Sequence, residues 1–259
     1  MAQGLPERYK ERVDSEQTYP MLVIDAGNTS AKFARVAHRH AAPRVIATVE
    51  TAKLSPARVE AIVRRSGCVS AMASCVVPSA RKTLRAGCPF LSFIGKSSPL
   101  NFSTKVDRST VGADRLANMA EAARRFGKSA LVADYGTAAT FDLLDGRGCF
   151  CGGAIAPGLL AVAQALSDGT AQLPVAELTL PRRAAGRNTR EALRSGVVGG
   201  YAGLVSQLLR ELPAKHVVFT GGGAALVAKI TGQKAVIDPL WTLRGISVLA
   251  DLAAREASK

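Results

Sequence analysis

One pattern occurs twice in this chain and restricts its fold more than any other feature. Residues 21–25 read MLVID, an apolar run that ends on an acid, followed by Gly27-Asn28 and a second strand-like run over 31–37. About a hundred residues later, 130–134 read ALVAD, followed by Gly136-Thr137 and a returning apolar run over 139–144. A short apolar run bounded by turn residues predicts a strand, and two such runs across a tight turn predict a hairpin. Two halves that open on the same acid-tipped hairpin predict a duplicated α/β fold with a cleft between the copies. Gly127 is the natural boundary, giving a polar N-terminal extension over 1–20, a first domain over 21–127 and a second over 128–259.

The segments between the hairpins read as alternating helix and strand. Apolar spacing at Val59, Ile62 and Val63 predicts a helix over 56–65 with Ser55 as its N-cap. Residues 69–77 predict a strand stopped by Pro78, and 91–94 another. Further helices are predicted over 113–126, 158–167, 188–211 and 243–254, the first ended by Gly127. A strand over 217–219 enters Thr220-Gly-Gly-Gly223 and a following helix.

Composition excludes several classes. Residues 1–20 mix both charges without an apolar stretch, so they do not read as a signal peptide. The longest mostly apolar run, Gly152–Leu166, contains Pro157 and Gln164 and is shorter than the roughly 18 residues of a membrane span. The cysteines, at 68, 75, 88, 149 and 151, are odd in number and lack C-x-x-C spacing, which speaks against a disulfide scaffold. Cys149-Phe-Cys151 is poor spacing for zinc, so these residues read as small buried hydrophobes of a reducing, cytoplasmic protein. Charge is the outlier at +14, and residues 26–100 carry 12 basic side chains against Glu50 and Glu60. No helix-turn-helix, finger or RNP-type pattern accompanies that block, and aromatics are only 5%. It therefore reads as solvated surface with a weak steering role rather than a nucleic-acid face.

Five constellations carry candidate chemistry. In Asp25-Ala26-Gly27-Asn28-Thr29-Ser30-Ala31-Lys32, Gly27 and Asn28 accept unusual backbone angles, so the turn's N–H groups converge on one concavity suited to phosphate. Asp25 offers a ligand for hydrated Mg²⁺, Thr29 and Ser30 offer hydroxyls, and Lys32 offers a positive charge. A plain hairpin turn uses the same residue types. Asp134-Tyr-Gly-Thr137-Ala-Ala-Thr140 repeats the arrangement. Gly112-Ala113-Asp114-Arg115 opens a helix, where Asp114 either complements the helix dipole or serves as a general base. Arg115 beside it suits an acidic substrate or developing phosphoryl charge. Thr220-Gly-Gly-Gly223 allows close approach of a nucleotide or simply a tight turn, and neither a Walker P-loop nor the G-x-G-x-x-G fingerprint is present. Gly186-Arg-Asn-Thr189 precedes a helix with glycines at 196, 199, 200 and 203, which permit close helix packing within or between subunits.

In order and spacing, Asp25-x-Gly-Asn-Thr, Gly112-Ala-Asp-Arg, Asp134-x-Gly-Thr-Ala, Gly152-Gly-Ala-Ile-Ala-Pro-Gly158, Gly186-x-Asn-Thr and Thr220-Gly-Gly resemble type III pantothenate kinase, the Bvg accessory factor family. The resemblance runs from Met21 to the last helix. It implies an actin-like, hexokinase-like (ribonuclease H-like) fold of two related α/β domains, a homodimer, and ATP-dependent phosphorylation of pantothenate with Mg²⁺ and K⁺ or NH₄⁺. By motif, it implies that Asp25 to Lys32 and Thr137 bind ATP and that Asp134 binds the monovalent cation. It further implies that Gly112, Ala113, Asp114 and Arg115 bind pantothenate with Asp114 as base, and that Thr189 reaches substrate from the dimer partner. An actin-like-fold kinase for another small acid or sugar, or a nucleotide-binding regulator, is the alternative. The chain departs from the family at Lys105, where a tyrosine often contacts pantothenate, and at Ala139, where the second hairpin usually has a threonine.

Overall fold

The computed structural model describes residues 19–257, so the expected N-terminal extension lies almost wholly outside the described residues. The chain forms two units, one comprising residues up to Arg125 together with those from Leu240 onward, the other Phe126–Pro239.

The first unit is built on a five-stranded sheet. Its strands are β1 (Met21–Ala26), β2 (Ser30–Val36), β3 (Arg44–Glu50), β4 (Ser70–Cys75) and β5 (Leu91–Phe93), in the order β3-β2-β1-β4-β5. β1 pairs antiparallel with β2 and parallel with β4, which makes it a central strand covered on both faces. Its side chains alternate accordingly. Leu22 and Ile24 pack with Val59, Ile62 and Leu84, while Met21 and Val23 pack with Leu116, Ile246 and Leu249. The first cover consists of α1 (Pro56–Ser66) and α2 (Pro78–Gly87). Ser55 caps α1 by accepting from Arg58 N–H at 3.3 Å, and Gly67 ends it with φ +62°. Pro78, expected only to stop a strand, opens α2, where its missing N–H costs nothing. A Cβ on Gly87 would fall 2.5 Å from Pro56 O and from Val59 Cβ, so this crossing of α1 and α2 requires glycine.

The second cover consists of α3 (Ala113–Phe126), which follows the short strand β6 (Ser103–Thr104), and the C-terminal helix, which therefore belongs to this unit. The sequence division had assigned 128–259 to the second domain; the structure returns Leu240 onward to the first. The reason is packing that sequence periodicity cannot assign. Trp241 is fully buried and donates its indole N–H to Asn118 O at 3.0 Å, and Thr242 Oγ1 donates to Asn118 Oδ1 at 2.9 Å.

The second unit repeats the plan. β7 (Ala130–Tyr135), β8 (Ala138–Leu144), β9 (Cys149–Pro157), β10 (His216–Thr220) and β11 (Val236–Ile237) follow the order β9-β8-β7-β10-β11. β7 again pairs antiparallel with its hairpin partner and parallel with the next strand, β10. β1 and β7 even share one pattern of burial: four buried residues, a half-buried acid, and a buried sixth. The helices are α4 (Leu159–Asp168), α5 (Thr189–Arg194), α6 (Gly200–Glu211), α7 (Ala224–Thr231) and, in the first unit, α8 (Trp241–Ala257). The single helix expected over 188–211 is instead α5 and α6 joined by a π-helical turn, Ser195–Gly199. Wide turns of this kind occur often at functional sites.

Candidate active site

In each unit the candidate residues collect at the carboxyl ends of the parallel strands, where open α/β sheets bind their ligands. In the first unit, β1 ends with the half-buried Asp25 directly opposite Lys32 of β2. This opposite-charge pair sits at the base of a turn that exposes Asn28 and Thr29. The turn closes through Gly27 N–H donating to Ser30 O at 3.0 Å. Thr51, which sequence reasoning missed, braces it twice: its N–H donates to Thr29 O at 3.0 Å and its hydroxyl to Gly27 O at 2.6 Å. No local signal marks Thr51, because it arrives from the far end of β3.

The unusual backbone angles expected at Gly27 and Asn28 are not found: neither residue has a positive φ. The brace from Thr51 shapes the loop instead. Ala26 and Ala31 are buried, so only their backbone is available to a ligand.

The Gly112–Arg115 segment reaches the same end of the same sheet. Val76, which follows β4, donates its N–H to Ala26 O at 3.2 Å, and a Cβ on Gly112 would lie 3.7 Å from Val76 Cγ1. Asp114 is in the first turn of α3 and accepts from Arg115 N–H at 2.8 Å through Oδ1. Burial raises the Asp114 pKa above the usual carboxylate range, against the opposing pull of that N–H and of the Arg115 charge. A helix dipole alone stabilises the ionised form; burial pushes this carboxyl the other way. The same Asp114 oxygen would be 2.4 Å from a Cβ on Gly112, which explains the glycine of the motif. Lys105 is exposed just beyond β6.

In the second unit, Asp134 ends β7 half-buried, opposite Thr140 on one side and Thr220 on the other. Here the structure joins two motifs that are far apart in sequence. Gly221, with φ +83°, lies so close that a Cβ would fall 2.4 Å from Asp134 Oδ1 and 2.7 Å from Tyr135 O. Gly223 N–H donates to Tyr135 O at 2.9 Å. Thr220-Gly-Gly-Gly223 is thus a tight strand-to-helix turn that walls the Asp134 carboxylate. Thr137 is exposed, and its carbonyl accepts from Gly158 N–H at 3.0 Å. The buried Tyr135 ring meets Phe141 and Phe219 edge-on, at 5.8 and 5.0 Å between centroids, and anchors the loop below.

The Ala139 side chain is fully buried in the core opposite Tyr135, so a hydroxyl there would face the core rather than a nucleotide. Thr189 is exposed at the first position of α5, beside a cap in which Asn188 accepts from Glu191 N–H at 3.0 Å.

The sequence model of the type III pantothenate kinase family matches residues 21–211. The chain belongs to that family. It is 33% identical over 250 residues to the type III pantothenate kinase of Methylacidiphilum infernorum, covering 92% of this chain and 91% of the relative. Among solved structures, a Baf family protein from Campylobacter jejuni superposes with a TM-score of 0.63 at 20% identity, covering 92% of this chain and all of the other. The activator of 2-hydroxyisocaproyl-CoA dehydratase from Clostridium difficile, solved with bound ADPNP, superposes with a TM-score of 0.53 at 15% identity, covering 92% and 95%. The fold is accordingly the duplicated actin-like, hexokinase-like one. As a type III pantothenate kinase, the chain phosphorylates pantothenate with ATP to 4'-phosphopantothenate, the first step of coenzyme A biosynthesis, and uses ATP with a divalent metal. No helix among the described residues is long and apolar enough to cross a membrane.

Proposed function

We propose that Asp114 is the base of the reaction. The pantothenate hydroxyl gives its proton to the Asp114 carboxylate as its oxygen bonds to the γ-phosphorus of ATP, and ADP leaves with the electron pair of the broken bond. The observation that carries this reading is the placement of Asp114: fixed by Arg115 N–H at 2.8 Å, raised in pKa by burial, and set at the carboxyl end of β1 beside the Asp25 turn. Arg115 offsets charge on the transferring group. Gly112 and Ala113 are assigned to pantothenate through their backbone. Residues Asp25 to Lys32 and Thr137 are assigned to the ATP phosphates.

The Asp134 site fits a monovalent cation, K⁺ or NH₄⁺. Its donors are hard oxygens, a carboxylate and the Tyr135 carbonyl, and the missing Cβ of Gly221 leaves the carboxylate accessible where any side chain would cover it. Asp25 suits Mg²⁺ through water for the same reason of donor chemistry. Bound cations supply neutralisation of phosphate charge; the chain's own residues orient the triphosphate and receive the proton.

We further propose a homodimer in which Thr189 of one subunit contacts pantothenate of the other. Gly196, Gly200 and Gly203 have nothing within 4 Å of where a Cβ would stand, and Leu160 and Ile155 are 71% and 65% exposed. This open small-residue face and these apolar side chains suit a second copy. The cysteines among the described residues are unpaired by disulfides, which suits a cytoplasmic setting. Asp114→Asn should lower kcat about 10²–10⁴-fold with nucleotide affinity little changed. Wild-type ADP formation by the purified variant would remove Asp114 from the mechanism.

A further inference from the structure

Beyond Leu144, at the opposite end of β8 from Thr137, the chain turns through residues 145–148 into β9. This turn is held in one conformation. Asp145 N–H donates to Cys149 O at 2.9 Å, Gly148 N–H to Asp145 O at 3.1 Å, and Ser129 N–H to Asp145 O at 2.8 Å. Asp145 Oδ1 accepts from Arg147 N–H at 2.8 Å and from Cys149 N–H at 2.9 Å. Gly148 has φ +78°, and a Cβ there would lie 2.7 Å from Gly127 O.

Those two N–H bonds aim the other carboxylate oxygen, Oδ2, at Cys151, whose Sγ lies 3.5 Å away. Cys149 stands two residues earlier on the same strand, and the donor atoms of Asp145, Cys149 and Cys151 all lie within 4.8 Å of one another. By its spacing alone, Cys149-Phe-Cys151 is a poor zinc pair. The turn supplies a third ligand.

We propose that Asp145, Cys149 and Cys151 form a binding site for a thiophilic divalent cation of the Zn²⁺ type. Two thiolates and one carboxylate oxygen are a borderline-soft set that favours such an ion over Mg²⁺, which requires oxygen ligands. Tetrahedral Zn–S bonds of about 2.3 Å place two sulfurs roughly 3.8 Å apart, so side-chain rotation closes the cluster without moving the backbone. Cys151 is exposed and gives the ion its entry, and water takes the fourth position. On binding, each thiol proton passes to buffer and its sulfur bonds the metal. The N–H bonds to Oδ1 orient the carboxylate, as partners of metal ligands commonly do. Eight residues of nearly extended chain, roughly 25 Å, separate Asp145 from Thr137, so this ion clasps the β8–β9 hairpin and takes no part in phosphoryl transfer.

The test uses the full reduced chain in Mg²⁺-containing buffer. Zn²⁺ is titrated against a chromophoric chelator, and Cd²⁺ is added separately to read the sulfur-to-cadmium charge-transfer band. One Zn²⁺ per chain is expected, together with protection of two thiols from alkylation. Cys151→Ser and Asp145→Asn should each weaken binding by at least about tenfold. Asparagine keeps the Oδ1 acceptor, so the turn persists and loss of binding reports the lost oxygen; circular dichroism checks both folds. Cys75→Ser should bind as wild type does. Zn²⁺ affinity, or a Cd²⁺ band, equal in wild type and in the Cys149→Ser/Cys151→Ser variant overturns the site.

Discussion

Replacing Gly112 by alanine separates the position of the proposed base, Asp114, from its chemistry. Gly112 has no positive φ, so its backbone accepts alanine without strain. The new Cβ would lie 2.4 Å from Asp114 Oδ1, whereas ordinary contacts begin near 3.4 Å, so the carboxylate must move by about 1 Å. The clash is with the end of a side chain, which yields by rotating, so the fold is largely spared. Its cost is the hydrogen bond from Arg115 N–H, about 1 kcal/mol, or about 2–4 °C in Tm for a chain of this size. Catalysis is far less tolerant: a 1 Å displacement of a reacting group costs about 10²-fold, or about 2.7 kcal/mol of barrier. Steady-state ADP release with pantothenate, run beside thermal unfolding, reads both quantities. A Gly112→Ala enzyme with wild-type kcat and wild-type Tm would show that the Asp114 oxygen need not be held where the structure places it.

Four further outcomes are expected. As the proposed base, Asp114 must be ionised to accept a proton, and burial raises its pKa, so the acidic limb of kcat/KM should lie above the ordinary aspartate value of about 3.9. The same raised pKa means that Asp114 contributes stability below its unfolded pKa and loses it as pH rises through the folded one; denaturant melts at neutral pH should therefore find Asp114→Asn no less stable than wild type. Gly221→Ala combines φ +83° with contacts of 2.4–2.8 Å to Asp134 and Tyr135, so it should cost about 1–3 kcal/mol and blunt the proposed activation by K⁺, measured by melting and by a KCl titration of rate. Gly245→Ala would set a Cβ 1.8 Å from Ala117 O, forcing α8 off α3; an unchanged Tm would refute the docking of the last helix, against an expected loss of about 1–3 kcal/mol or more.

Membership of the family also gives the paired hairpins a common physical origin. β1 and β7 are central strands whose first four residues and sixth are buried, and each carries its one acid next to its carboxyl end. Asp25 and Asp134 occupy that position. The basic block over 26–100 has no comparable focus: Arg81 and Arg85 lie over the Phe93 ring at 4.1 and 5.3 Å, and Lys53 pairs with Glu50 at 2.8 Å. These are ordinary surface packing contacts.

What the sequence by itself determined was local and periodic. MLVID and ALVAD define strands because runs of apolar residues have few other solutions, and Ser55 with Gly67 brackets α1 through its caps. The order of six short motifs was enough to indicate the family and to single out Asp114. Tertiary structure decided everything that depends on segments meeting across long stretches of chain. Thr51 bracing the Asp25 turn, Gly221 walling Asp134, and Asp145 completing a cysteine pair are invisible to spacing because each joins separate elements or turns on backbone geometry. The return of α8 to the first unit is the clearest case. An amphipathic helix announces that one face must be buried, but many surfaces satisfy that demand; the Trp241–Asn118 hydrogen bond and the close approach of Gly245 to Ala117, where a Cβ would fall 1.8 Å from the carbonyl oxygen, select one of them.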